Sequence, residues 1–193
     1  MKRLALSCGL VLIIALLALP SRTVAQGPQV RASLKAAVTQ RLGADADITI
    51  TYSRPGVKGR AIWGALVPNG MAPGNQYSKN QPFPWRAGAN ENTTIEFSKG
   101  VLIEGKPLDA GKYGLHMIPS EKEWTIIFSK NNSAWGSFSY KPEEDALRVT
   151  VTPVAAPFQE WLTYGFDDLA GKSATAFLFW EKLKVPFKIS LPQ

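Results

Sequence analysis

The chain has 193 residues, 45% of them hydrophobic and 19% charged, with 22 Lys and Arg against 15 Asp and Glu for a net charge of +7. The positive excess is mild and scattered, so neither a nucleic-acid partner nor a membrane-surface role is expected. A single cysteine (Cys8) and a single histidine (His116) exclude a disulfide framework, a thiolate metal site and a zinc site built on several imidazoles.

Lys2 and Arg3 precede an almost unbroken apolar run from Leu4 to Leu19, and Thr23-Val24-Ala25 supplies a small-x-small site. This is the pattern of a secretory signal peptide over residues 1–25, with cleavage near Ala25. The run is shorter than the roughly 20 residues a spanning helix needs, so no transmembrane segment is expected in the mature chain. Cleavage removes Cys8 and takes 22 basic residues to 19 through the loss of Lys2, Arg3 and Arg22, so net charge falls from +7 to +4. About 168 residues remain, long enough for one domain with its own core over residues 30–193, located in the periplasm or outside the cell.

Along that domain, period-two alternation dominates. "KAAVTQRLG" reads equally as a short helix or as a strand hairpinning into "DITITYS", where Ile48, Ile50 and Tyr52 alternate with Thr49, Thr51 and Ser53. Pro68 to Pro84 is the longest irregular stretch, a lid or an insertion. Thr93 to Phe97 is a strand, and Trp124, Ile126 and Phe128 form one side of another. Leu147, Val149 and Val151 share a face. "SATAFLFWEKL" is apolar on both faces, as a central strand would be. Val185, Phe187, Ile189 and Leu191 alternate with polar partners, although Pro186 argues for an edge or a strand start. About nine such strands between Gly- and Pro-rich turns make an all-β antiparallel β-sandwich, with a partly closed β-barrel as the alternative.

Six ordered pieces, "TYSRPGVKGRAIWGALVPNG", "WRAGANENTTIEFS", "AGKYGLHMIP", "EWTIIFSKN", Trp135-Gly136 and "FLFWEKLKVPFKI", together resemble the secreted bacterial family catalogued as domain of unknown function 2911. The likeness runs from about Arg31 to Leu191. It implies no activity. One departure stands out: typical members pass from an "LVPYG" turn almost directly to "WRTGANE", so Met71 to Pro84 reads here as an insertion.

The polar equipment gathers before the third strand, in "PWRAGANE". Extending the pleat of Thr93, Ile95 and Phe97 backwards turns Glu91 inward, where an unpaired carboxylate costs several kcal/mol. Arg86, or Arg60 from the loop holding Arg54 and Lys58, is the expected partner, since a guanidinium grips a carboxylate at two points. Two readings stay open for Arg54, Lys58, Arg60, Arg86, Asn90, Glu91 and His116: a structural latch closing one end of the sandwich, or a polar pocket. The glycines are no phosphate loop, lacking the Lys-Ser/Thr and the following helix. His116 is a packed strand residue or, beside Glu91, a proton-transfer partner. No serine sits in a nucleophile elbow. The run Glu143, Glu144, Asp145 reads as a solvated turn.

Of six tryptophans, Trp124 and Trp180 belong to strands and the core. Trp63, Trp85 and Trp135 lie in loops, where a ring either caps the core or stacks on a sugar. No cofactor and no metal is predicted. The reading that follows is a non-catalytic module for a small polar or glycan-like ligand. The alternatives are a hydrolase or lyase using Glu91 and His116, and a structural envelope protein.

Overall fold

The computed structural model describes residues 29–192, and the expected leader, residues 1–25, lies outside them. Ten strands follow in chain order: β1 (Leu34–Leu42), β2 (Ala46–Arg54), β3 (Thr94–Phe97), β4 (Val101–Ile103), β5 (Lys106–Leu108), β6 (Gly111–Ile118), β7 (Trp124–Ser129), β8 (Asp145–Val151), β9 (Val154–Asp167) and β10 (Ser173–Ser190). The segment open to either helix or strand is β1. It hairpins onto β2 in unbroken register from Leu34 opposite Arg54 to Leu42 opposite Ala46. No helix among the described residues is long and apolar enough to cross a membrane.

Two antiparallel sheets form, one in the order β1-β2-β3-β6-β7-β8 and the other β5-β4-β10-β9. They share no strand, so the arrangement is a β-sandwich and not a closed barrel. The described residues from Arg31 onward make one compact unit. Alternation explains the layering, because every second side chain of a strand meets the opposing sheet. Ile48, Ile50 and Tyr52 from β2, Ile95 and Phe97 from β3, and Ile126 and Phe128 from β7 are buried against Leu178, Trp180, Val185 and Phe187 of β10. Phe128 meets Phe187 edge to face across the layers at 6.2 Å.

β10 lies between β4 and β9, but the expected cover on both faces is not found: Ala176, Leu178 and Trp180 are buried, while Phe177 and Phe179 on the outer face are only half-buried. Pro186 is tolerated inside this strand because pairing with β9 ends at Lys184 and pairing with β4 begins only at Ile189. No ladder bond is therefore asked of its missing N–H.

Candidate functional site

Between Trp85 and Thr93 the chain leaves the sheet and returns. Trp85 exchanges both backbone hydrogen bonds with Met117 of β6, and Thr93 O accepts from Leu115 N, two residues back along the same strand. Seven residues, Arg86 to Asn92, are thus extruded where β6 advances by two. Ala87 and Asn90 hold left-handed backbone, with φ of 52° and 61°. The Ala87 carbonyl is fixed from two sides, accepting from Tyr164 Oη at 2.8 Å and Thr93 Oγ1 at 3.1 Å. Gly88 passes so close that an added Cβ would sit 2.6 Å from Thr93 Oγ1.

That extrusion overturns the expected orientation of Glu91. A pleat extrapolated from β3 assumes continuous extended backbone, and the turn at Asn90 breaks it. Glu91 faces outward, its side chain 41% exposed, and it pairs with Arg31 rather than with Arg86 or Arg60. The Arg31 hydrogen bond, helped by Glu91's own backbone, holds the carboxyl below the usual carboxylate range. Exposed pairs of this kind contribute only about 0–1 kcal/mol, so Glu91 is not the latch.

The two loops do share a cavity. About 420 Å³ opens between the 55–60 and 84–89 segments, within the size range of small-molecule sites. Its walls are Phe83, Trp85, Phe138 and Trp180 with several prolines, and its charged side chains are Arg60 and Arg86. Trp85 and Trp180 lie nearly parallel, 17° apart at 6.1 Å. Trp63 and Trp124 complete a four-ring cluster behind them, and the buried Nε1 of Trp63 has no acceptor there.

Arg86 is half-buried and stacks its guanidinium 4.8 Å from the Phe138 ring centre while Nη1 donates to Asn90 O. No carboxylate among the described residues lies within salt-bridge distance of it. Burial pulls its proton affinity down, yet a guanidinium stays charged at any ordinary pH. Arg60 is exposed and spends Nε and Nη2 on the carbonyls of Val57 and Gly56 at 3.1 and 2.6 Å. Its remaining N–H groups are not used by those two bonds.

The residues matched by one family model cover most of this architecture. Positions 33–189 fit a family described as Protein of unknown function (DUF2911). The chain belongs to this family. No curated protein and no solved structure matches it.

In this DUF2911 domain the other candidate residues disperse. Arg54 braces β2 against β9, donating to Leu162 O at 3.0 Å and Thr163 Oγ1 at 2.7 Å. Lys58 lies over Trp161. Asn90 anchors the extruded loop through Nδ2 to Ser33 O. Trp135 is 56% exposed and carries Arg31 over its ring at 5.7 Å. His116 is only 2% exposed, on the outer face of its sheet but sealed beneath the 130–141 segment. Nδ1 lies 2.8 Å from Ser137 Oγ, and the Tyr140 ring packs edge-on at 5.7 Å. Burial, with the nearby Arg86 charge second, pushes its pKa down to about 4. It makes no hydrogen bond to Glu91, and a base this weak and enclosed is poorly suited to proton transfer at neutral pH.

The acidic turn is also less open than its composition implies. Asp145 is drawn in, accepting from Tyr140 Oη at 2.8 Å and pairing with Arg148.

Three wall residues escaped the sequence reading. Phe83 belongs to the Met71–Pro84 segment, which folds as a closed loop: Ala72 and Phe83 exchange backbone hydrogen bonds, and Gly74 touches the Asn80 backbone so closely that no Cβ fits. Phe138 comes from a stretch without periodicity. Trp180 was assigned to the core and serves both roles. The signal for Phe138 was its neighbour Gly136, whose added Cβ would stand 2.2 Å from Arg86 Cζ, at φ 69°. Gly136→Ala should therefore destabilise by about 1–2 kcal/mol more than Gly59→Ala, because Gly59 shares the left-handed backbone (φ 68°) with nothing within 4 Å. Thermal unfolding compares the two; equal losses would mean that Arg86 does not pack on Gly136.

Proposed function

We propose that this domain is an exported, non-catalytic binding module whose ligand is a small anion with a flat or apolar body, taken up in the 420 Å³ cavity. One observation carries the reading: two guanidinium groups and no carboxylate line a cavity otherwise walled by aromatic rings and prolines. A half-buried cation without a counter-charge is costly to hold, and an entering anion relieves that cost. The rings supply area for a planar or alicyclic face, and Arg86 offers planar two-point recognition of a carboxylate or phosphate. The lining contains no imidazole, thiol or carboxylate, which favours recognition over proton transfer. The leader-like N-terminus supports a site of action in the envelope or outside the cell.

Tryptophan fluorescence provides the test, because Trp85 and Trp180 form the wall. Titration with ring-bearing carboxylates such as benzoate and cyclohexanecarboxylate should give saturable shifts. Their methyl esters should bind about tenfold more weakly, and Arg86→Gln should remove most of that difference, with Arg60→Gln removing a smaller part. Silence across the carboxylates, or esters binding as tightly as the acids, would sink the proposal.

A further inference from the structure

The extruded loop has a second side. Gly88 and Ala89 face the aromatic cavity, while Glu91 and Asn92, on the same seven-residue excursion, line another cleft of about 160 Å³. It lies between the outer face of the six-stranded sheet and the 132–134 segment. Its roof is tied down by Asn132 Nδ2 donating to Lys112 O at 2.8 Å and by Asn92 N donating to Ala134 O at 3.2 Å.

The lining is of a different kind from the first cavity. Thr51 of β2 stands opposite Thr94 of β3, and Ser53 opposite Lys35 of β1, so hydroxyl-bearing residues pave the floor. Asn92 is 8% exposed; its Nδ2 donates to Asn131 O at 3.0 Å, and its Oδ1 has no partner. A buried amide oxygen left in that state costs about 1–3 kcal/mol, and because the atom is sealed from the cleft, a donor there reaches it only if the Asn92 side chain turns. Glu91, already engaged by Arg31, adds a second acceptor on the same wall.

Two cations frame this floor. Lys35 enters from β1 and Lys112 from β6, and the order β1-β2-β3-β6 puts three strand spacings between them. At about 4.8 Å per spacing their backbones stand at least about 14 Å apart. The volume is close to the roughly 150 Å³ of an apolar cavity that takes up benzene, so it suits one six-membered ring. Here the walls are hydroxyls, amides and charges, and the ring must bring hydroxyl donors of its own.

We propose that this cleft is a saccharide subsite for an anionic pyranose, a hexuronate or a phosphorylated hexose. Ring hydroxyls donate to Glu91 and pair with the Thr51 and Thr94 hydroxyls, and the anionic substituent is met by Lys112. The subsite stands independently of the aromatic cavity, because the extruded loop separates the two and different residues serve each.

Amide NMR shifts of the purified protein, read at Thr51, Asn92, Thr94 and Asn132, test it with four probes: glucuronate, glucose 6-phosphate, glucose and inorganic phosphate. Both charged sugars should shift these amides saturably and glucose should do so about fivefold more weakly, with Lys112→Gln reducing the charged sugars toward the glucose value. Lys112 is exposed, so the variant should melt with the wild type, and Arg60→Gln should leave these shifts unaltered. The proposal is overturned if neither charged sugar shifts these amides. It is equally overturned if inorganic phosphate reproduces the shifts at the same concentration, or if Lys112→Gln binds the charged sugars as the wild type does.

Discussion

Trp180→Ala is expected to remove about 3–5 kcal/mol of stability, a drop in melting temperature of roughly 10 °C for a domain of this size. The side chain is 1% exposed and lies at the meeting point of the two sheets and the cavity wall. Its ring contacts Trp63 at 5.7 Å and stacks beside Trp85, and Nε1 donates to Glu160 O at 3.2 Å. Truncation leaves the other rings of the cluster without a face to pack on. Trp180→Phe separates the terms, keeping a ring while losing the hydrogen bond, and should cost about 1–2 kcal/mol. Calorimetry checks both values. If the alanine variant melts within a degree or two of the wild type, the cluster is not the keystone of this end of the sandwich.

The same residues show what a reader of the sequence can reach. Alternation at Ile48, Ile50 and Tyr52 placed β2 correctly because a strand with one buried face leaves a period of two in the text. The double apolar run around Trp180 marked a strand with a neighbour on each side, but the cover it implied on both faces is not found. Glu91 defeated the method because parity holds only while the backbone stays pleated, and residues 86–92 leave the sheet altogether. Nothing local announces a partner such as Arg31, sixty positions away in the chain. The cavity was half legible: Arg60, Arg86 and Trp85 stand in motifs dense with charge and aromatic character. Phe83 and Phe138 come from segments with no period, where tertiary closure alone decides which side chain becomes a wall. Arg86 was read as a carboxylate's partner. Its isolation from every described acid is visible only once the fold is formed, and the proposed anion preference rests on that isolation.

Lowering the pH from 7.5 to 5 should cost this protein about 2 kcal/mol of stability through one group. His116 is the chain's only histidine, so no other imidazole titrates in that window. Its folded pKa is pushed down to about 4 from the ordinary 6.5, first by burial and then by the Arg86 charge. The unfolded chain therefore binds a proton near pH 6.5 that the folded chain refuses until about pH 4. Stability is full above pH 6.5, falls as pH drops through the interval, and levels off below pH 4 after a total loss of about 3 kcal/mol from this residue. Urea unfolding at pH 7.5, 6 and 5 should show the decline in the wild type and little of it in His116→Gln, which cannot take up the proton; parallel declines would remove His116 as the cause. The coupling to Arg86 adds a second readout. An anion seated against that guanidinium offsets part of the field on the imidazole, so saturating benzoate should raise the His116 pKa and shallow the decline between pH 6.5 and 5. A slope indifferent to the anion would place it away from Arg86, and the aromatic cavity would lose its strongest claim to be the binding site.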